Sequence, residues 1–358
     1  VFIANTTIAM LTDRDGKYRI SIPGAGNFQL AVSHVSYQPV FKDIEHGNIS
    51  VEMNIAMNDN ELDEVVITQK VKARRTDINL FWRTILGKSP SKKSIFPVNP
   101  DDVFYFYNRE TNMLKVSCRI PIQIINNELG YHITIVLDFF THDYGQGISS
   151  WNYRYMFNEL EPEDQKQKNI WDENRKKVYK VSFTNFIKSM YNNKLLENGF
   201  VLAYLDKKIV SGNYSDSLSA SRHFSIMHPM ILSPTSSDSL QFRGVDLETF
   251  LSIDSKSGGK TFFVPPDQKE FLVLICFGNP VSQKNMENVD LALKGKRSWS
   301  RTGLVRSVLE TPDIPVPVFP DGTFGNPLKI TPLASMSLTG LNLKLPLDYE
   351  PEIDSNIP

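Results

Sequence analysis

The sequence has almost no net charge, and it lacks any long hydrophobic run. Its 39 lysines and arginines balance 40 aspartates and glutamates, so the formal net charge is −1. A chain with this balance has no basic footprint for nucleic acid, which excludes that class of partner. No run approaches the roughly 18 apolar residues of a membrane-spanning helix, and the longest candidate, residues 271–277, has the length of a strand. We therefore predict neither a nucleic-acid partner nor a transmembrane segment.

Cysteine is also scarce, with two residues in 358. Cys118 shares one face of a predicted strand with apolar neighbours. Cys276 lies in an apolar strand that we expect to be buried on both faces. Two buried free thiols are the simpler interpretation. The alternative is a disulfide between the two strands, formed after export.

The first 37 residues are the most informative stretch of the chain. A polar turn at residues 12–18 is closed by Asp15 and Gly16, a pair that tolerates the positive φ of a tight hairpin. Apolar and polar residues then alternate over residues 18–22 and again from residue 28, which is the period expected of half-buried strands. The segment predicts a β-sandwich and contains no candidate catalytic side chain.

This segment resembles the carboxypeptidase-regulatory-like domain, a prealbumin-like β-sandwich common in envelope proteins of Bacteroidetes-type bacteria. The residues that carry the resemblance are Val1-Phe2-Ile3, Thr6-Thr7, Thr12-Asp13, Asp15-Gly16-Lys17-Tyr18, Ile22-Pro23, and Leu30 through Val35 with Ser36-Tyr37. A second match, ELDEVVI at residues 61–67, is similar to the run that ends the module in many such chains. The resemblance implies a fold for about the first 68 residues and no activity. Members of the family have a further strand before the one at Val1, so we expect the first strand of the sandwich to be missing.

The family name suggests a zinc carboxypeptidase, but the peptidase motif is absent from the sequence. Catalytic zinc needs two ligands from an H-x-x-E segment and a distant histidine, with one position left for water. None of the six histidines is followed three residues later by Glu or Asp. His132 with His142, or His223 with His228, is the alternative metal pair. We expect no catalytic residue, no metal and no cofactor, and we predict that the protein is not an enzyme.

The pattern along the chain predicts four regions. They are a sandwich at residues 1–68, a linker with a short helix at 69–102, a β-rich domain at 103–345 with a helical hairpin near 162–197, and a tail at 346–358 that we expect to fray. Asp77 is the predicted cap of the short helix, and Gly87 its end. Ser182 is the predicted cap of the second hairpin helix.

The first hairpin helix is predicted to begin at Pro162. Its side chains Ile170, Trp171, Asn174 and Val178 are expected on one face. Prolines concentrate between residues 312 and 332, which predicts edge strands and an extended surface arm there because proline cannot donate to a central ladder.

Alternating aromatic residues on two predicted strands are the candidates for ligand binding. On the first strand, Phe104 and Phe106 alternate with Tyr105 and Tyr107. Trp151, Tyr153 and Tyr155 recur at every second position of a predicted strand. An exposed row of this kind stacks on sugar rings, since ring faces bind C–H surfaces and hydroxyls bind nearby polar groups. The simpler interpretation is that the rings fill the interface between the sheet and the helical hairpin, because aromatic residues mostly lie inside.

These observations predict a mainly β protein, with the sandwich followed by a larger α+β domain. We expect a non-catalytic protein of the periplasm or outer membrane that uses sandwich modules for interaction or scaffolding, with an envelope protein as its partner. Residues 61–67 could serve as an edge strand that pairs with a partner's sheet. The alternative is a carbohydrate-binding protein, or an unrecognised glycan hydrolase, with a site between the domains.

Overall fold

A computed structural model shows a mostly β protein with few helices, as the sequence predicts. It describes residues 1–22, 26, 28–34, 37–44, 52–58, 74–87, 93–205, 242–244, 251–253, 260–263, 271–276, 278–284, 287, 305–310, 315–325, 331–334 and 340–352. The chain forms two compact units. Unit 1 comprises residues 1–24, 28–176 and 340–358, and unit 2 comprises residues 25–27 and 177–339.

The N-terminal part of unit 1 is a three-stranded antiparallel sheet. Its strands are β1 (Phe2–Ile3), β2 (Phe28–His34) and β3 (Tyr37–Ile44), in that order across the sheet. Ile3, Phe28 and Leu30 form a buried core on one face. Alternation at this length is what a half-buried sheet requires.

The predicted turn and second strand differ in outcome. The turn is present, since the Asp13 side chain accepts hydrogen bonds from the amides of Asp15 and Lys17, and Gly16 has φ +78°. The prediction of a strand at residues 18–22 is wrong, because these residues do not pair with a neighbouring strand. Its alternation is nevertheless real, since Tyr18, Ile20 and Ile22 pack against the core formed by Ile3, Phe28 and Leu30.

A six-stranded antiparallel sheet forms the centre of unit 1. Its strands are β4 (Ile95–Pro97), β5 (Val103–Asn108), β6 (Met113–Cys118), β7 (Ile122–Asn126), β8 (Tyr131–Asp143) and β9 (Ile148–Glu159). The long strand β8 pairs with β7 and then β6, and it also pairs with β9. The predicted hairpin turn at residues 126–130 is present, with the Asn126 side chain accepting from the amides of Glu128 and Leu129.

Helix α1 (Arg75–Leu86) packs on one face of this sheet through Phe81, whose ring contacts those of Tyr105 and Phe140. The prediction that Asp77 caps the helix is wrong. The cap position is three residues earlier, at Arg74, and Asp77 is a buried residue of the first turn paired with Arg74. Gly87 ends the helix as predicted.

Helix α2 (Gln165–Lys180) and helix α3 (Phe183–Tyr191) lie where the sequence predicts two helices. The predicted buried face of α2 is partly wrong. Trp171 is buried, but its neighbour there is Arg175, while Ile170 is exposed. The prediction for α3 is confirmed, since the Ser182 side chain accepts a hydrogen bond from the Asn185 amide and caps the helix.

Unit 2 contains α3 and two antiparallel sheets. The five-stranded sheet has the order β11 (Phe242–Gly244), β10 (Phe200–Leu205), β14 (Phe271–Cys276), β15 (Val305–Glu310) and β17 (Thr331–Ala334). The smaller sheet has the order β12 (Leu251–Ile253), β13 (Lys260–Phe262) and β16 (Val316–Val318). The prediction of edge strands near the prolines is confirmed by β16 and β17, each at the end of its sheet among the described strands. The prediction of a surface arm is wrong for the described part, since Val316 and Val318 are buried in a core cluster.

A core cluster of unit 2 joins α3 to the smaller sheet. Phe186, Ile187 and Met190 of the helix are buried with Phe262, Val316 and Val318. These side chains recur at three- and four-residue spacing on the helix, which places them on one face.

The N-terminal module is attached to the six-stranded sheet of unit 1. Phe2 and Ala31 pack with Val136 of β8 and Met156 of β9. Along the outer edge of β9, the Asn5 amide donates to the Tyr155 carbonyl (2.7 Å) and the Phe157 amide donates to the Thr6 carbonyl (3.0 Å). The loop after β1 therefore bonds the β9 edge, while the strands of the module form a separate sheet.

The segment 340–352 also belongs to unit 1 and is not frayed, so that prediction is wrong for its described part. The Leu347 amide donates to the Asn5 carbonyl (2.8 Å), and Asp348 accepts hydrogen bonds from the amide and hydroxyl of Thr7. The Asn126 side chain donates to the Leu341 carbonyl (3.1 Å).

Several predictions lie outside the described residues. They concern the edge strand at 61–67, the histidines at 223 and 228, the end of the tail at 353–358, and the region boundary at 68. Within the described residues, no helix is both long enough and apolar enough to span a membrane.

Candidate functional site

The predicted aromatic row lies on the face of the six-stranded sheet that carries α1. Trp151, Tyr153 and Tyr155 of β9 stand opposite Phe140, Leu137 and Ile135 of β8. The structure therefore brings the three rings together on one face, as alternation in a strand requires. The helix that contacts this face through Phe140 is α1, whereas the sequence suggested the helical hairpin.

The row changes from exposed to buried along the strand. Trp151 is 38% exposed and stacks on the fully buried Phe140, with ring centroids 6.3 Å apart. Tyr153 and Tyr155 are half-buried, and burial raises the pKa of Tyr153 to about 12 and that of Tyr155 further above its usual range. Of the three predicted residues, Trp151 alone offers an exposed ring for stacking.

A cleft of about 460 Å³ lies at the other end of β8, and no sequence pattern predicted it. Its walls come from the N-terminal module, β8, β9, α2 and the segment 340–352, all in unit 1. Five carboxylates line it, from Glu159, Asp172, Asp348, Glu350 and Glu352. Three cations line it as well, from Lys168, Arg175 and Lys176. This volume is within the range of small-molecule sites.

Helix α2 forms one wall because three of its side chains bind the turn that leads into β8. The Trp171 indole donates to the Asn127 carbonyl (2.7 Å), and Asn174 donates to the Glu128 carbonyl (2.9 Å). Arg175, only 6% exposed, donates to the carbonyls of Leu129 (2.7 Å) and Gly130 (3.1 Å). Gly130 has φ +69°, and a side chain at that position would overlap the Trp171 ring.

The guanidinium of Arg175 contacts four groups within this wall. Besides the two carbonyls, it pairs with the Glu159 carboxylate at 3.2 Å and lies 4.1 Å from the centre of the Tyr131 ring. Buried charges persist when they are paired and hydrogen-bonded in this way. Arg175 therefore holds this wall of the cleft together, with each of its three nitrogens engaged by a protein oxygen.

Tyr131 forms the floor of the cleft and is fully buried, yet its hydroxyl has no hydrogen-bond partner in the protein. Burial raises the pKa of Tyr131, Arg175 lowers it, and the charges of Glu159 and Asp348 raise it further, so the phenol stays protonated. The side chains of Glu159 and Asp348 line the same cleft as Tyr131. A buried hydroxyl without a partner is rare and calls for an explanation.

A separate polar cluster fixes the start of α1. The buried Asp77 accepts hydrogen bonds from Arg74 (2.8 and 2.7 Å) and from the Tyr144 hydroxyl. Burial alone would raise the Asp77 pKa, but these two partners outweigh it and the pKa is lowered. The His142 ring contacts Tyr144, and its Nδ1 lies 2.8 Å from the Ser149 hydroxyl. The arrangement orders the helix against the sheet.

The other candidate chemical groups have simple surroundings. Cys118 is a free thiol, which argues against the Cys118–Cys276 disulfide, and burial raises its pKa to about 11. Within the ranges that the structure describes, no group of three or more His, Cys, Asp or Glu side chains could hold a metal ion. His132, one of the metal candidates, has a pKa lowered by burial.

Comparison with known proteins bears on the N-terminal part of the chain. Residues 1–67 match the family model described as the CarboxypepD_reg-like domain. No curated protein and no solved structure matches the chain. The family match confirms the resemblance drawn from residues 1–37 and 61–67.

Proposed function

From the premise that residues 1–67 form a carboxypeptidase-regulatory-like domain, we propose that this is a non-catalytic protein of the cell envelope. The module is a non-catalytic β-sandwich, and we place the protein in the periplasm or at the outer membrane, the setting in which such modules are common. Its role is to hold an envelope protein partner, with the module as part of the scaffold.

One observation carries this proposal, namely that the module is hydrogen-bonded to the larger sheet of unit 1. Asn5 and Thr6 bond the outer edge of β9, and the carbonyl of Asn5 also accepts from the segment 340–352. Phe2 and Ala31 complete a buried cluster with β8 and β9. The backbone polar groups of Asn5 and Thr6 thus join the module to a neighbouring sheet. A module that joins protein parts in this way is suited to a scaffold.

The test is co-purification of the tagged full-length protein from envelope fractions of its native host. The proposal predicts stoichiometric recovery with one envelope protein. Recovery of the protein alone, from a soluble fraction, would contradict it.

Binding of a glycan at Trp151 is the second candidate function. The observation that favours it is the exposed Trp151 ring, stacked on Phe140 and followed along the same face by Tyr153 and Tyr155. Ring faces of this kind bind the C–H surfaces of sugars.

A glycan array with the Trp151→Ala variant tests this second candidate. Phe139→Ala is the matched control, because Phe139 is similarly exposed (42%) but pairs with Asn152 and so lies on the opposite face. Glycan signals that disappear in Trp151→Ala and persist in Phe139→Ala would support the site. Equal signals for both variants would exclude it.

A further inference from the structure

We infer that the cleft above Tyr131 binds a small molecule through a primary ammonium group. The inference rests on the unpartnered hydroxyl of Tyr131 at its floor, the carboxylates of Glu159 and Asp348 beside it, and the commitment of the neighbouring cations. It is independent of the envelope partner proposed above.

The hydroxyl of Tyr131 is the first indication of a ligand. The side chain is fully buried and lines the cleft, and no protein group bonds its oxygen. Leaving such a group without a partner costs free energy that a hydrogen bond would recover. A neutral phenol has two acceptor lone pairs, so it can accept a hydrogen bond from an ammonium group.

The charges of the cleft decide which sign of ligand fits. Carboxylates outnumber cations among the lining side chains. Arg175 is bound to two carbonyls and to Glu159, and Lys168 is paired with Asp172 at 2.7 Å. An anion would meet surplus negative charge, whereas a cation would be favoured by it.

The carboxylates also keep acceptor capacity for a ligand. Asp348 accepts from the amide and hydroxyl of Thr7, and Glu159 pairs with Arg175. An ionised carboxylate offers about four acceptor sites, so each can accept a further bond from an ammonium group. Charge-assisted bonds of this kind are stronger than neutral ones.

Isothermal titration calorimetry of the full chain with three probes tests the inference. Glucosamine carries a primary ammonium group, N-acetylglucosamine is its neutral counterpart, and putrescine carries the amine without a sugar. The inference predicts that at least one of the two amines binds about tenfold or more tightly than N-acetylglucosamine. Binding of glucosamine alone points to an amino sugar, and binding of putrescine points to an aliphatic amine.

Three variants locate the binding. Tyr131→Phe removes one hydroxyl, and Asp348→Asn removes one charge at nearly constant shape. Each is expected to weaken amine binding about tenfold or more. Asp138→Asn is the matched control, because Asp138 is an exposed residue of β8 outside the cleft that accepts from Asn152.

The outcomes that overturn the inference are equally defined. It fails if neither amine binds, if N-acetylglucosamine binds as tightly as glucosamine and putrescine does not bind, or if Tyr131→Phe and Asp348→Asn bind the amine as the parent does. If Asp348→Asn is unfolded, as judged by circular dichroism, the Tyr131→Phe result decides alone, since phenylalanine fills the same space.

Discussion

The buried Arg175 provides the sharpest test of how unit 1 is held together. Replacing it with methionine keeps most of the side-chain volume and removes the guanidinium. The Leu129 carbonyl then loses its donor at 2.7 Å, and the Gly130 carbonyl loses the bond at 3.1 Å but keeps the one from the Leu160 amide. The Tyr131 ring loses a cation at 4.1 Å. The pair with Glu159 adds little, because the Glu159 side chain is 61% exposed.

The magnitude follows from these contacts. A hydrogen bond from a charged donor contributes about 1.5 to 3 kcal/mol, and a desolvated cation over a ring about 1 to 2 kcal/mol. The methionine variant no longer carries the desolvation cost of a buried guanidinium, and this gain offsets part of the lost interaction energy. We expect Arg175→Met to lower the free energy of unfolding of unit 1 by about 3 to 5 kcal/mol.

The assay is equilibrium unfolding in urea, followed by the fluorescence of Trp171, with the other three tryptophans replaced by phenylalanine in every variant. Lys168→Met is the matched control, since Lys168 is an exposed residue of the same helix paired with Asp172. We expect its midpoint to equal that of the parent. A loss of less than about 1 kcal/mol in Arg175→Met would refute the reasoning, because the Leu129 carbonyl would be left without its donor and the Gly130 carbonyl would lose one of its two.

Three further predictions concern other parts of unit 1. Gly130→Ala should lower the free energy of unfolding by about 2 kcal/mol or more, measured by urea denaturation, because φ is +69° and the new methyl overlaps the Trp171 ring; an unchanged midpoint would show that the turn is placed wrongly. The lowered pKa of Asp77 means that its contribution to stability is present above the unfolded-state pKa of about 4 and is lost as pH falls through the folded value. Melting curves of the parent and Asp77→Asn should therefore differ most at pH 6 to 7, and they should converge below about pH 4; a constant difference would contradict the ionised pair with Arg74. Cys118, with a pKa raised to about 11 by burial, should react with a disulfide reagent at pH 8 far more slowly in the folded protein than in denaturant; equal rates would contradict its burial.

The strands of unit 1 could be predicted because their information is local. Strands β5 to β8 alternate clearly, and Asn126 to Gly130 has the composition of a turn. The cap at Ser182 was also readable, since a serine before an apolar helix is a local signal. Asp77 was misassigned because its carboxylate pairs with Arg74, three residues earlier, instead of capping the helix.

The cleft could not be predicted because its residues are distant in sequence. Thr7 and Asp348 are 341 positions apart, and the turn at Asn127 is 44 positions before Trp171. Arg175 appeared to be an ordinary charged residue of a polar helix, and only its burial marks it out. The aromatic row shows the opposite case: alternation placed the three rings on one face, but only the structure distinguishes the exposed Trp151 from the covered tyrosines.

The central claim is that the protein works in the envelope by holding a partner. The most direct measurement is the native size of the untagged protein in a detergent extract of the host envelope, by size-exclusion chromatography with immunodetection. The account predicts elution in a complex well above the size of the purified protein, and a shift back to that size after dissociation in high salt or urea. Elution at the size of the purified protein, or its recovery outside the envelope fraction, would contradict the claim.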